Sequence, residues 1–133
     1  MANVLYPISK KALLDGGIDL LSDDIRVILV DLDDYTYSSG HDFLDDVPGA
    51  ARVAVSAALS GKSTTNGTFS ASNTSFPSVT GDQSEALILY QHTGTEGSSR
   101  LIAFIDTGVD GLPVTPNGAD ININWSGSGI FSI

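Results

Sequence analysis

Two apolar runs stand out in the second half of the chain, 86–90 (ALILY) and 101–105 (LIAFI), separated by a polar stretch of Gly, Ser and Thr with a single Glu. Short runs rich in β-branched and aromatic side chains, bounded by turn formers, predict strands, and this pair predicts a β-hairpin. Neither run alternates strictly between apolar and polar. A strand that is apolar on both faces is covered on both faces. The hairpin is therefore expected mid-sheet, with Leu87, Leu89, Leu101, Ala103 and Ile105 in the core. Its polar loop, 91–99, would turn outward.

The rest of the pattern is weaker and more varied. Residues 5–15 (LYPISKKALLD) predict a short helix. Pro7 suits a first turn, Ile8, Ala12 and Leu13 fall near helical spacing, and Gly16-Gly17 ends it. A helix this short needs a sheet or a neighbouring subunit to lean on. Residues 25–31 (IRVILVD) read as a strand. An acidic, aromatic loop follows, with a helical turn over 41–46 and a close at Pro48-Gly49. Residues 52–59 (RVAVSAAL) read as the next strand. Between 60 and 80, eleven of 21 residues are Ser or Thr. Asn66-Gly67 lies there between β-formers, a strong turn signal, so short strands are expected with Phe69, Phe76 and Val79 as core anchors. Residues 120–125 (DININW) alternate as a half-buried strand, and 130–133 form a last short one.

The sum is an all-β fold, an antiparallel β-sandwich or small jelly-roll-like barrel of about seven or eight strands with a short N-terminal helix. The expected organisation is an N-terminal helical contact segment, 1–20, and a single β domain, 21–133.

Charge narrows the partners. The net charge is −10, with six basic residues among 133. They are scattered, which argues against nucleic acid and against an anionic membrane surface. There is no cysteine, so disulfides, zinc thiolates and Cys nucleophiles are excluded. Residues 1–20 lack the apolar core of a signal peptide, and no run approaches a membrane span. A cytoplasmic origin is expected.

Gly61-Lys62-Ser63 resembles the end of a phosphate-binding loop, but Ser56 stands where the first glycine is needed and STTNGTF is no helix. Asp106-Thr107-Gly108 after an apolar run resembles an aspartic-protease signature, yet the 25 residues that follow hold no second half of such a site. The two histidines, His41 and His92, sit in expected loops with no serine elbow. Asp31, Asp33, Asp34, Asp42, Asp45 and Asp46 crowd one loop without the Gly and distal Glu of a calcium loop. The expectation is no catalytic residue, no cofactor and no metal site, and so no enzyme. Contact residues are expected instead at Val4, Leu5, Tyr6 and Ile8 of the N-terminal segment and at Tyr35, Tyr37 and Phe43. Aromatics outside strands favour interfaces or cap the ends of a sandwich.

Three phrases carry a resemblance: 42–48 (DFLDDVP), 100–106 (RLIAFID) and 112–118 (LPVTPNG), set in that order between an N-terminal helical start and a short β end. With them the whole chain resembles a family of small structural proteins of tailed bacteriophages, found among head and virion genes. The resemblance implies a virion protein made in the host bacterial cytoplasm. Its favoured role is a capsid decoration (cement) protein that binds the major capsid protein as a homo-oligomer, a trimer by preference. A tail, neck or fibre component is the alternative.

Overall fold

The computed structural model describes residues 3–133; Met1 and Ala2, which open the segment 1–20, lie outside the described residues. In chain order the elements are β1 (Val4–Leu5), α1 (Pro7–Asp15), β2 (Ile25–Val30), β3 (Arg52–Val55), β4 (Thr68–Phe69), β5 (Thr74–Phe76), β6 (Ala86–Gln91), β7 (Leu101–Ile105), β8 (Ile121–Ile123) and β9 (Phe131–Ser132). The protein is mainly β. Five strands form one antiparallel sheet in the order β1-β7-β6-β2-β3, and β4-β9 and β5-β8 form two small antiparallel pairs.

The β6–β7 hairpin sits inside the large sheet, as its apolar runs require. Side chains alternate between faces along each strand. Val27, Leu29, Leu87 and Leu89 point to one face, where Phe69, Phe76, Ile121 and Ile123 from the small pairs, with Ile130 just before β9, cover them. Ile28, Val30, Ala86 and Ile88 point to the other, under Tyr6, Tyr35, Leu44, Val47 and Ala51. That second cover comes from the start of α1 and from the acidic loop. It is held by two short 3-10 turns, Leu44–Asp46 and Gly49–Ala51.

Where the observed elements differ from expectation, local chemistry explains it. The helix starts at Pro7, not at residue 5. A residue before proline is pushed out of the α region, and Tyr6 is extended at φ −66 and ψ 137. Val4 and Leu5 are thereby free to pair with Phe104 and Ala103 as an edge strand. Gly16 ends α1 in the left-handed region at φ 81, as expected. The strand expected over 52–59 stops at Val55. Just beyond it the Ser56 hydroxyl takes the Val27 N–H at 3.0 Å, replacing a ladder bond. Asn66 and Gly67 do turn the chain (φ 56 and 78), and Ser63 and Ser70 exchange backbone bonds across that turn. Yet β4 and β5 find their partners 45 to 64 residues away, in β9 and β8.

One irregularity ties the N-terminus down. Leu89 pairs with Ala103 and Tyr90 with Leu101, so Ile102 is the extra residue of a bulge. The Ile102 carbonyl accepts the Tyr6 N–H at 3.0 Å and lies 2.8 Å from the Ser9 hydroxyl, which is also 2.7 Å from the Tyr6 carbonyl. Ser9 is fully buried.

Candidate functional site

A groove of about 680 Å³ opens beside the β1 edge of the large sheet. Ala103 and Ile105 of β7 lie at its base. Val4, Leu5, Leu13 and Leu14 line it from the N-terminal side, and residues 130–133 from the other. Lys10 is its one charged lining residue. Leu14 is 86% exposed and Ile133 73%, two of the four large hydrophobics left exposed among the described residues. Exposed large apolar side chains gathered at one concave place mark a contact site more strongly than the same side chains scattered. Among the described residues β1 pairs only with β7 and β9 only with β4, and residues of both strands line the groove.

Two acidic clusters lie away from the groove, in the loop after β2 and where that loop meets the chain before β6. Asp42, Asp45 and Asp46 bring carboxylate oxygens within 4.8 Å of one another, and so do Asp31, Asp34 and Asp82. Backbone amides answer part of this charge. Asp42 N–H donates to Asp46 at 2.8 Å, and Asp33 N–H to Asp31 at 2.9 Å. The Asp42 amide holds the Asp46 carboxyl below its ordinary range. Partial desolvation, with Asp46 beside it, raises Asp42. Asp82 joins from the chain before β6 because Val30 pairs with Ala86, which sets residues 31–34 against 82–85. Glu85 accepts the Leu32 N–H across the same junction at 2.8 Å.

The aromatic residues near these clusters are built into the core. Tyr6 is fully buried and Tyr35 is 4% exposed. Their hydroxyls bond at 2.7 Å, and Tyr35 meets His41 Nδ1 at 2.8 Å. Burial pushes the Tyr35 phenol up to about 12 and the Tyr6 phenol higher still. Tyr37, half-buried, packs its ring 5.0 Å from Tyr6 and 5.6 Å from Phe104. Phe43, also half-buried, bridges to Arg100. Tyr6 and Tyr35 therefore offer no surface to a partner and are corrected from contact residues to core anchors. Of the residues expected at a contact, Val4 and Leu5 line the groove; Ile8 packs toward the aromatic side.

The rest of the groove escaped sequence reasoning. Leu13-Leu14 is a doublet on a nine-residue helix, where adjacent positions cannot both face inward; Leu14 is the one left out. Ile130 and Phe131 were visible as a strand but not as neighbours of β1. The rejected motifs are structural turns. Asn3 Oδ1 accepts the N–H groups of Asp106 and Thr107 at 2.9 and 3.1 Å, closing the Asp-Thr-Gly turn. Lys62 donates to the Asp23 carbonyl at 2.6 Å. Among the described residues no helix is long and apolar enough to cross a membrane. No family model and no curated protein matches the chain.

Proposed function

We propose that this chain is a virion structural protein of a tailed bacteriophage, a decoration (cement) protein that binds the major capsid protein shell and bridges neighbouring subunits. It works by contact, as a homo-oligomer with a trimer favoured, and the two small strand pairs serve as the second layer of a sandwich over the large sheet. The observation that carries this reading is the groove. An apolar concavity that gathers exposed Leu14 and Ile133 beside an edge strand suits a protein whose work is to be held by another. The acidic clusters give the same molecule a complement to basic side chains of a shell.

The test adds purified protein to particles stripped of it and counts bound copies. Saturable binding in proportion to capsid subunits supports the shell; a handful per particle supports the neck, tail or fibre; no binding overturns the virion reading. Removing residues 1–8 is a poor probe, because it deletes buried Tyr6 and the β1 strand together. Leu14→Glu with Ile133→Glu is cleaner, since both side chains are exposed. The double variant is expected to keep its thermal midpoint and lose particle binding.

A further inference from the structure

We propose that the groove takes up an extended strand from a partner polypeptide, apolar on the side turned to Ala103 and Ile105 and carrying a carboxylate that meets Lys10. This names the partner chemistry of the docking face proposed above and rests on that face being the one used. It does not depend on which virion protein supplies the strand.

Three observations carry it. The first is the pair of edge strands. β1 is the last strand of the large sheet, and β9 has only β4 beside it. A backbone edge needs hydrogen-bond partners, and an added strand supplies them in a repeating row. A docked helix satisfies its own backbone and would leave both edges as they are. The second is size. One strand residue fills roughly 160 Å³, taking the strand rise, strand spacing and sheet spacing as its three dimensions. A groove of about 680 Å³ then holds about four residues. That is short, yet it exceeds the two residues of each strand, β1 and β9, that contributes to the lining.

The third is charge. The molecule is strongly acidic, yet its groove is lined by no acid and by one base. The ion pairs among the described residues join Lys11 to Asp15, Arg26 to Asp24 and Arg52 to Glu96, and none uses Lys10. A strand bearing an acidic residue completes that cation. A second copy of this chain is a poorer donor. Its exposed large hydrophobics, Leu14, Leu21, Val55 and Ile133, are never neighbours in sequence, so no described segment presents an extended apolar run.

The experiment selects random eight-residue peptides displayed against the full chain, with the Leu14→Glu/Ile133→Glu variant as counter-target. The expected winners alternate apolar and polar positions and carry Asp or Glu. On isotope-labelled protein they should shift the amides of Val4, Leu5 and Ser132. N-methylation of alternate peptide amides should abolish binding, since it removes the strand's donors. Lys10→Glu should weaken acidic peptides about tenfold and favour their Lys counterparts. Three results overturn the proposal: no peptide prefers the unmodified groove, N-methylated peptides bind as well, or the Lys10 variant shows no change of preference. If peptides fail while particles still bind, only the strand proposal falls. If peptides bind and particles do not, only the virion reading falls.

Discussion

The guanidinium of Arg52 reaches the carbonyls of Val47 and Leu44 at 2.8 and 2.9 Å and the Glu96 carboxylate at 2.9 Å. One side chain thus pins the 3-10 turn Leu44–Asp46 to the tip of the hairpin. The contact with Glu96 is exposed and contributes little; the two carbonyls are the larger part. Arg52→Met is expected to destabilise by about 1–3 kcal/mol in urea unfolding, with Glu96→Gln nearly neutral. Thr74 shows the opposite case. Its hydroxyl is buried and has no hydrogen-bond partner. Thr74→Val keeps the shape and removes a group that burial penalises, so a neutral or stabilising change of up to about 1 kcal/mol is expected by the same measurement. Among the acids, Asp24 is held below its ordinary range by the two-point hydrogen bond from Arg26, both contacts at 3.0 Å. Asp19, Asp46 and Glu96 are lowered too, while Asp42 is raised and works against them. A carboxyl that is more acidic folded than unfolded adds stability above its unfolded value, and that stability is lost as pH falls through the folded value. The urea midpoint is therefore expected to drop from about pH 5 downward, and Asp24→Asn should shrink the difference between about pH 7 and about pH 3.

At the level of elements, the short helix and the two-residue edge strand make one unit through the Ile102 bulge. Ser9 is the link. It lies in the first turn of α1, with its hydroxyl against both the Tyr6 and Ile102 carbonyls. Ser9→Ala is expected to cost about 1 kcal/mol and to raise hydrogen exchange at Val4, Leu5 and the first turn of α1 more than elsewhere. The sequence made this unit half legible. Pro7 and Gly16-Gly17 marked the helix, because each acts on its own backbone. Val4 and Leu5 were hidden because two residues carry no periodicity; the rule for the position before a proline was the available clue. Likewise 86–90, 101–105 and 25–31 announced themselves as buried strands. Burial is written into a run's own composition, whereas the identity of its partner is not.

Across the whole molecule, that limit decides what could be foreseen. The hairpin, its central place and the anchors Phe69, Phe76 and Val79 followed from local pattern. The pairing of β4 with β9 and β5 with β8, the junction that brings Asp82 to Asp31, and the groove itself all join distant segments, and no local signal reports them. The prediction that belongs here is the particle assay: Leu14→Glu/Ile133→Glu should abolish docking without unfolding the protein, because the changed side chains serve the surface and not the core.

The groove's lining comes from both ends of the sequence. Val4 meets Phe104 across about a hundred residues, and residues 130–133 complete the other side. Contacts this remote in sequence form late, after the intervening chain has been made and collapsed. During synthesis the groove therefore gains its second wall only once residues 130–133 have emerged, whatever else has already folded. A chain without residues 130–133 lacks one wall of the groove.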